Sequence, residues 1–244
     1  MSPGFSERTF EFCFNAEYCQ INSGILATHP HIPSQNQEKD LGYDVEFLIR
    51  TREFTTSVFF QHKVPYFAEQ RAGRNARFFD AHGGPYFRFG VDRDQHNLLY
   101  DLSIARGNTY YCSPCYNVST ELAQAYRTVT VAQRSLLLDP CDVGRITDDE
   151  RHNITYSPSG DFATLHSESR SFEHSFRGAG ERAPRLKPLR VTLDMVSELA
   201  EELSRRVDAV AQHGVEEARS NRTDVQYVQV MLGRVYKTSW ILLQ

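Results

Sequence analysis

The sequence predicts an α/β (α+β) fold: a central mixed β-sheet flanked by helices, with a long C-terminal helix. Three observations predict it, namely a hairpin pattern, a strand–helix–strand succession after it, and a heptad-like apolar stripe near the end. The 244 residues are 40% hydrophobic and 24% charged, as in a globular protein with a substantial core. No run of about 18 apolar residues and no apolar N-terminal signal segment is present. We therefore expect a cytoplasmic protein without a membrane partner.

Charge and cysteine content exclude some classes of protein. The net charge of −4 argues against a nucleic-acid binder that uses its whole surface, although a local basic groove remains compatible. Five cysteines, an odd number, argue against a disulfide framework. Cys112 and Cys115 have zinc-ligand spacing, and Cys13 and Cys19 could complete the set only if the first helix met that strand. Buried thiols are the favoured interpretation.

The first helix is predicted from a Ser6 cap to about residue 20. One stripe of this helix carries Phe10, Cys13, Phe14, Glu17 and Ile21. Glu17 lies in the middle of the stripe, so it either turns a carboxylate towards the core or reaches solvent from the rim. Residues 22–41 follow as a long polar loop, placed to gate a site or to contact substrate.

Residues 42–64, GYDVEFLIRTREFTTSVFFQHKV, predict two β-strands joined by a short polar loop at residues 52–55. Asp44 then lies opposite Lys63, and Glu46 opposite Gln61. Alternation of side chains places these four residues on one face, at one end of an otherwise apolar hairpin. Such a group is either a cross-strand salt bridge between Asp44 and Lys63 or a candidate site.

The order Gly-Tyr-Asp, hairpin and apolar run ending in Gln-x-Lys resembles the PD-(D/E)xK superfamily, which has the restriction-endonuclease-like fold. It is similar in particular to members with Gln before x-Lys, and the resemblance covers about the first half of the chain. It implies that Asp44 binds a metal, that Gln61 occupies the (D/E) position, and that Lys63 lies near the attacking water. Gln61 is neutral, so either Glu46 supplies the missing charge or the metal binds more weakly.

The resemblance also implies a helix glutamate at the metal. Glu17 is the first choice for this role, and Glu11 is the reserve. Phosphodiester cleavage of this kind would use Mg²⁺ or Mn²⁺, because hard cations prefer oxygen ligands and polarise phosphate.

Beyond the hairpin, residues 68–82 predict a helix on which Arg71, Arg74 and Arg77 form either a phosphate-contacting or a solvated face. A strand at residues 85–91, a helix at 95–105 capped by Asp92 or Asp94, and a strand at 109–115 extend the sheet. Gln95 opens that helix, where it either approaches nucleic acid or caps. A helix at 119–127 and a hairpin of residues 152–156 and 161–167 complete the domain.

The domain is expected to span residues 1–170, followed by a basic linker at 171–190 and a helical extension at 191–244. The apolar stripe of the extension either packs on the parent domain or forms a homodimer or partner interface. Its members are Met195, Val196, Leu199, Leu203, Val207 and Val210.

These observations predict a metal-dependent nuclease, with DNA favoured over RNA and a role in defence against foreign nucleic acid suggested by analogy of fold. One alternative is a catalytically inactive member of the same fold that binds nucleic acid or a protein. Another is an unrelated α/β interaction protein with a salt-bridged hairpin.

Overall fold

The computed structural model describes residues 1–160, 162–166 and 171–175, together with residues 197, 200, 201, 223, 224 and 226–228. The chain divides into two compact units, Met1–Leu189 and Arg190–Gln244. In the second unit, Ser197 Oγ donates to Asp224 Oδ2 at 2.6 Å. The predicted apolar stripe of the C-terminal helix and residues 176–190 of the predicted linker lie outside the described residues.

The first unit is mixed α and β, which confirms the predicted fold class. Its helices are α1 Glu7–Ile21, α2 Gln35–Leu41, α3 Ala76–Ala81, α4 Arg93–Arg106, α5 Ser119–Arg127 and α6 Pro140–Val143, with a 3₁₀ turn at Gly73–Asn75. Its strands are β1 Val45–Arg50, β2 Thr55–His62, β3 Tyr66–Ala68, β4 Tyr86–Val91, β5 Thr109–Pro114, β6 Ser135–Leu138, β7 His152–Tyr156, β8 Phe162–His166 and β9 Ser171–Ser175. Among the described residues, no helix has the length and apolarity needed to cross a membrane.

The strands form two sheets. The four-stranded sheet has the order β1-β2-β5-β6, in which β2 and β5 are parallel and the other pairs antiparallel. The five-stranded sheet has the order β3-β4-β7-β8-β9 and is antiparallel throughout. The parallel β2–β5 pair requires a crossover, and α4 lies on that connection.

Both faces of the four-stranded sheet are buried, which explains the apolar run in β2. Val58 and Phe60 point into a cluster with Phe10 and Phe14 of α1, whereas Phe59 points into a second cluster shared with the five-stranded sheet. Consecutive side chains of a strand alternate in direction, so a strand buried on both faces needs apolar residues at successive positions.

The hairpin forms, but its turn is centred one residue earlier than predicted, which shifts the pairing by two residues. Arg50 pairs with Thr55, and the Thr51 hydroxyl accepts hydrogen bonds from the backbone N–H groups of Glu53 and Phe54 at 3.2 and 3.0 Å. This side-chain closure selects a two-residue loop. The expected pairing of Glu46 with Gln61 is therefore wrong, since Glu46 pairs with Phe59. A shift of two residues leaves every side chain on its predicted face.

Several other elements differ from the prediction. Residues 68–82 do not form one helix, because Ala68 ends β3 and the α-helix begins only at Ala76. Helix α2 occupies part of the expected loop, β6 was not predicted, and the first five residues of the expected linker form β9. Helix α1 has the predicted Ser6 cap, whose Oγ accepts the N–H of Thr9 at 3.1 Å.

Glu17 is a structural residue, which corrects its predicted position at the metal. Its side chain is buried, and its two carboxylate oxygens accept the backbone N–H groups of Val131 and Ala132 at 2.7 and 2.9 Å. The stripe of α1 does turn this carboxylate inward, where it fastens the segment before β6. Charge-assisted hydrogen bonds to two backbone donors stabilise a buried carboxylate that would otherwise be costly.

Replacing Glu17 should therefore reduce stability. We expect Glu17→Ala to lower the free energy of unfolding by about 3 kcal/mol, because two buried N–H groups lose their acceptor. Urea denaturation of the variant beside wild type measures the difference. Glu11→Ala on the same helix is the matched control and should change stability by less than about 1 kcal/mol. Equal stability of Glu17→Ala and wild type would contradict this role.

Candidate functional site

The candidate site lies where the chain leaves α2 and enters β1. Gly42 ends α2 in the left-handed conformation, with φ of 79°. A Cβ atom at Gly42 would lie 3.0 Å from the Cβ of Leu98 on α4. Glycine is therefore required both by the backbone conformation and by the close approach of α4. This close approach brings Asp44, two residues later, beside the first turns of α4.

Asp44 is held by three hydrogen bonds from β2. The Gln61 Nε2 atom donates to both carboxylate oxygens at 2.9 and 3.0 Å, and the His62 backbone N–H donates to Oδ2 at 2.6 Å. The Asp44 side chain is only 13% exposed. Two donor groups that make three contacts with one carboxylate fix its orientation.

Lys63 joins the same group through α4. Its Nζ donates to Gln95 Oε1 at 3.0 Å, and Gln95 Nε2 donates to Gln61 Oε1 at 3.2 Å. Asp44, Gln61, Gln95 and Lys63 thus form one hydrogen-bonded chain, which we call the polar chain. The salt bridge between Asp44 and Lys63, one of the two alternatives that the sequence left open, does not form, and Lys63 has no ion pair with any described carboxylate.

Gln95 therefore belongs to the site, and its helix explains its position. Asp92, one of the two predicted caps, begins α4 by accepting the Gln95 backbone N–H through Oδ1 at 3.0 Å. With its backbone satisfied by the cap, the Gln95 side chain is available to bridge Gln61 and Lys63. The sequence predicts that Gln95 either approaches nucleic acid or caps the helix, and the structure places its side chain between Gln61 and Lys63.

Three further carboxylates lie in the electrostatic environment of Asp44. Burial raises the pKa of Glu7 and of Glu11, and the Asp44 charge raises both further. Burial likewise raises the pKa of Glu38, followed by the charge of Asp44 and a hydrogen bond between the two carboxyl groups. Lys63 opposes the shift at Glu7 and Glu38. Crowded carboxylates that share a site favour protonation or a bound cation.

Glu46, the predicted third metal ligand, is occupied elsewhere. Its Oε1 accepts the Ser57 hydroxyl at 2.5 Å, and its Oε2 accepts the Tyr43 hydroxyl at 3.4 Å. His31 Nδ1 lies 3.8 Å from Oε2. The hairpin register sets Glu46 opposite Phe59 and not opposite Gln61. Its carboxylate therefore contacts Ser57 and Tyr43 and not the group around Asp44. Glu38 and the reserve residue Glu11 are the acidic neighbours that the structure provides instead.

His62 is a member of the site that the sequence did not single out. Its ring is fully buried against Phe10, Phe14 and Phe60, and its Nδ1 lies 3.4 Å from Asp44 Oδ2. Neither ring nitrogen has a hydrogen-bond partner within the part of the chain that the structure describes. The apolar packing of this ring fixes the end of β2 and so fixes the backbone N–H that holds Asp44.

Two open clefts flank the polar chain, one on each side of α2. The first, of about 490 Å³, lies between α1 and α2 and reaches Asp44, and the second, of about 540 Å³, lies between α2 and α4 and reaches Gln95. Gln35 and Glu38 line both clefts. The predicted loop beside the site is thus in part a helix that separates two approaches to it.

The predicted basic face does not form as expected. Arg71 precedes the helix and makes a bidentate pair with Asp80, with N···O distances of 2.7 and 2.8 Å. The Arg77 guanidinium lies over the Phe78 ring, 4.5 Å from its centre. The side chain of Arg74 lies outside the described residues. Because the α-helix begins only at Ala76, the helical spacing on which the prediction of a common face rests does not apply to Arg71.

The donor atoms can be compared with what a divalent cation needs. Among the described residues, no group of three or more His, Cys, Asp or Glu side chains is placed to hold a metal ion. Mg²⁺ commonly takes only one or two carboxylates and completes its shell with water and substrate phosphate. Asp44, Glu38 and the Gln61 carbonyl oxygen meet that smaller requirement, provided that the Gln61 amide turns its oxygen from Gln95 towards Asp44.

Comparison with protein-family models, with curated proteins and with solved structures finds no match for this chain. The geometry of the described residues is therefore the ground on which a function can be inferred.

Glu38 was missed because α2 was missed, although the sequence carries a signal for that helix. Ser34 and Gln37 have the spacing of a capping box, and the Gln37 Oε1 atom accepts the Ser34 backbone N–H at 3.0 Å. Gly42 supplies the matching C-terminal signal. These two signals predict a helix at residues 35–41, but none of its residues is buried and no apolar periodicity marks it.

The crowded carboxylates predict a pH-dependent effect of Glu38→Gln. Folding raises the Glu38 pKa above its ordinary value of 4.5, so the folded state is penalised once pH rises above that value. Glu38→Gln should therefore be more stable than wild type at pH 7, and the difference should shrink as pH falls towards 4.5.

Urea denaturation across this pH range tests the expectation. Glu53→Gln, which removes the same charge at the exposed hairpin turn, is the control and should show no comparable gain. A Glu38→Gln variant that is less stable than wild type at pH 7 would contradict a raised pKa of Glu38 in the folded protein.

Proposed function

We propose that this protein is a metal-dependent nuclease that hydrolyses phosphodiester bonds in DNA. The observation that carries the proposal is the polar chain, in which one carboxylate, one amide and one ammonium group are fixed beside two open clefts. Asp44 and Lys63 are close in space yet not paired with each other, so each keeps capacity for a ligand. A role in defence against foreign nucleic acid is proposed by analogy of fold alone.

The arrangement of elements supports the proposal. Helix α1 precedes an antiparallel hairpin, and α4 then crosses to a strand parallel to β2. The segment before β1 pairs along its outer edge through Leu26 with Ile49 and His31 with Glu46. This succession of helix, antiparallel strands, helix and parallel strand agrees with a restriction-endonuclease-like core. Fold alone does not establish function, so the argument rests on the residues at the strand ends.

Asp44 and Glu38 would hold a Mg²⁺ or Mn²⁺ ion, with the Gln61 carbonyl oxygen as a neutral ligand. A bound cation of this kind supplies a Lewis acid for the phosphoryl oxygens and lowers the pKa of bound water. The raised pKa values of Glu7, Glu11 and Glu38 support this assignment, because a cation would offset the repulsion among the carboxylates.

Lys63 would stabilise charge on the phosphate and orient the attacking water. The Gln95 Oε1 atom positions its ammonium group, and β5 holds its backbone, since the Lys63 N–H donates to the Cys112 carbonyl at 2.9 Å. An ammonium group held in this way is preorganised for developing negative charge, which is the most effective form of electrostatic catalysis.

The second candidate is a catalytically inactive member of the same fold that binds nucleic acid or a partner protein. The Gln61 amide favours this candidate, because its NH₂ group satisfies Asp44 directly. A carboxylate whose oxygens already accept hydrogen bonds has less need of a cation. Cleavage assays separate the two candidates.

Loss of either charged end of the polar chain should abolish cleavage. We expect Asp44→Asn and Lys63→Gln each to reduce Mg²⁺-dependent cleavage of plasmid and single-stranded DNA at least about 100-fold. Arg52→Gln, which removes a cation at the opposite end of the same hairpin, is the control and should retain wild-type activity. Cleavage by all three variants at the wild-type rate would locate the activity elsewhere in the protein. Absence of cleavage by the wild-type protein would favour the inactive binder.

A carboxylate at position 61, in place of the neutral Gln61 amide, should tighten metal binding. The substitution Gln61→Glu would set a second carboxylate against Asp44, so without Mg²⁺ we expect a lower melting temperature than in wild type. Added Mg²⁺ should raise the melting temperature of this variant more than that of wild type. The Kd of the variant for Mg²⁺ should be lower by about tenfold, since the charge of the ligands sets cation affinity.

Thermal unfolding across a Mg²⁺ titration measures both effects. Gln70→Glu adds the same charge at an exposed position and is the control. An identical response of Gln61→Glu and Gln70→Glu to Mg²⁺ would remove position 61 from the metal site.

A further inference from the structure

The cleft between α1 and α2 has a composition that the hydrolytic chemistry does not require. At its inner end it meets the carboxylates of Asp44, Glu38 and Glu11. The rest of its wall is largely apolar and includes Phe12, Ala16, Cys19, Ile32 and Pro33. A site that only held a metal and a phosphate would have no use for this apolar extension.

Two large apolar side chains of this wall are open to solvent. Phe12 is 66% exposed and Ile32 is 62% exposed, although neighbouring residues of α1 such as Phe10 and Phe14 are fully buried. Single exposed apolar residues are ordinary, but two that line one cleft leading to a polar site mark a binding surface. The cleft volume of about 490 Å³ lies within the range of small-molecule sites, about 300–1,000 Å³.

Polar groups on the same wall suggest the chemistry of the ligand. Arg8 offers a positive charge at the cleft, one turn of α1 before Phe12. Asn15, on the same wall, is half-buried and adds an amide group to the lining. An exposed aromatic ring, an amide and a cation together match a base that stacks on the ring and a phosphate that adjoins it.

We infer that this cleft binds the base of an unpaired nucleotide in single-stranded DNA, stacked on Phe12. The inference rests on the proposed nuclease function and names its substrate class. Duplex DNA buries the faces of its bases in the stack and presents only their edges and its phosphates, so an apolar cleft gains nothing from it. An unpaired base exposes both faces, and the phosphates of its strand would then lie beside Arg8 and at the Asp44 end of the cleft.

The test is equilibrium binding, which needs no turnover. Fluorescence anisotropy with a labelled single strand of about 12 nucleotides and its duplex, in Ca²⁺ in place of Mg²⁺, compares wild type with Phe12→Ala and Phe12→Tyr. We expect Phe12→Ala to weaken binding of the single strand by about 5- to 150-fold, the range that base–aromatic stacking supplies. Phe12→Tyr keeps the ring and should stay within about twofold of wild type.

Ile104→Ala is the matched control, because Ile104 is a 65% exposed apolar residue that does not line the cleft. Its binding should equal that of wild type, and duplex binding should not respond to Phe12→Ala. Unchanged single-strand binding in Phe12→Ala, or equal weakening for single strand and duplex, would overturn the inference. An RNA strand of the same sequence that binds more tightly than DNA, with the same loss in Phe12→Ala, would overturn the choice of DNA.

The outcome for this cleft is separate from the outcome for the nuclease function. Selective loss of single-strand binding in a protein that cleaves nothing would support the cleft while refuting hydrolysis. Cleavage that requires Asp44, is unchanged in Phe12→Ala and is equal for single-stranded and duplex DNA would support hydrolysis while refuting base binding in the cleft.

Discussion

Asp44 accepts hydrogen bonds from the Gln61 side chain and the His62 backbone, and these bonds form only because the hairpin sets Asp44 beside the end of β2. The register depends in turn on the Thr51 hydroxyl, which closes a two-residue loop at the other end. If the turn kept its predicted position, Asp44 would face Lys63 and a simple salt bridge would satisfy both. The shift of two residues leaves Lys63 free to contact Gln95. The turn closed by the Thr51 side chain thus decides whether Asp44 and Lys63 form a salt bridge or remain available for a ligand.

Packing on both faces of the four-stranded sheet makes this arrangement rigid. Phe10 and Phe14 of α1 enclose the fully buried ring of His62, and Phe59 packs on Tyr43 from the opposite face, with ring centres 5.0 Å apart. The polar chain therefore lies at the margin of two apolar clusters rather than on a mobile loop. Groups at such a margin are partly desolvated, which strengthens their mutual electrostatic interactions and accounts for the raised pKa values of the neighbouring glutamates.

Helix α2 has a different relation to the core. None of its seven residues is buried, so its position depends on its end contacts, the Ser34–Gln37 cap and Gly42 against α4. It nevertheless carries Glu38 to Asp44 and forms a wall of both clefts. A functional side chain on an element without apolar periodicity gives no hydrophobic signal in the sequence. This is the physical reason why the sequence points to Glu46, on a well-marked strand, and gives no indication of Glu38.

By itself the sequence determined the elements whose apolar pattern is strong: α1, the hairpin, β4, α4, β5, α5 and the β7–β8 hairpin. It also brought Asp44, Gln61 and Lys63 to one end of one sheet face, because alternation along a strand survives a shift of two residues. Only the tertiary structure decided the division into two sheets, the inward role of Glu17 and the recruitment of Gln95 and Glu38. Those outcomes depend on contacts between residues far apart in the chain, such as Glu17 with the Val131 backbone, which local patterns do not encode.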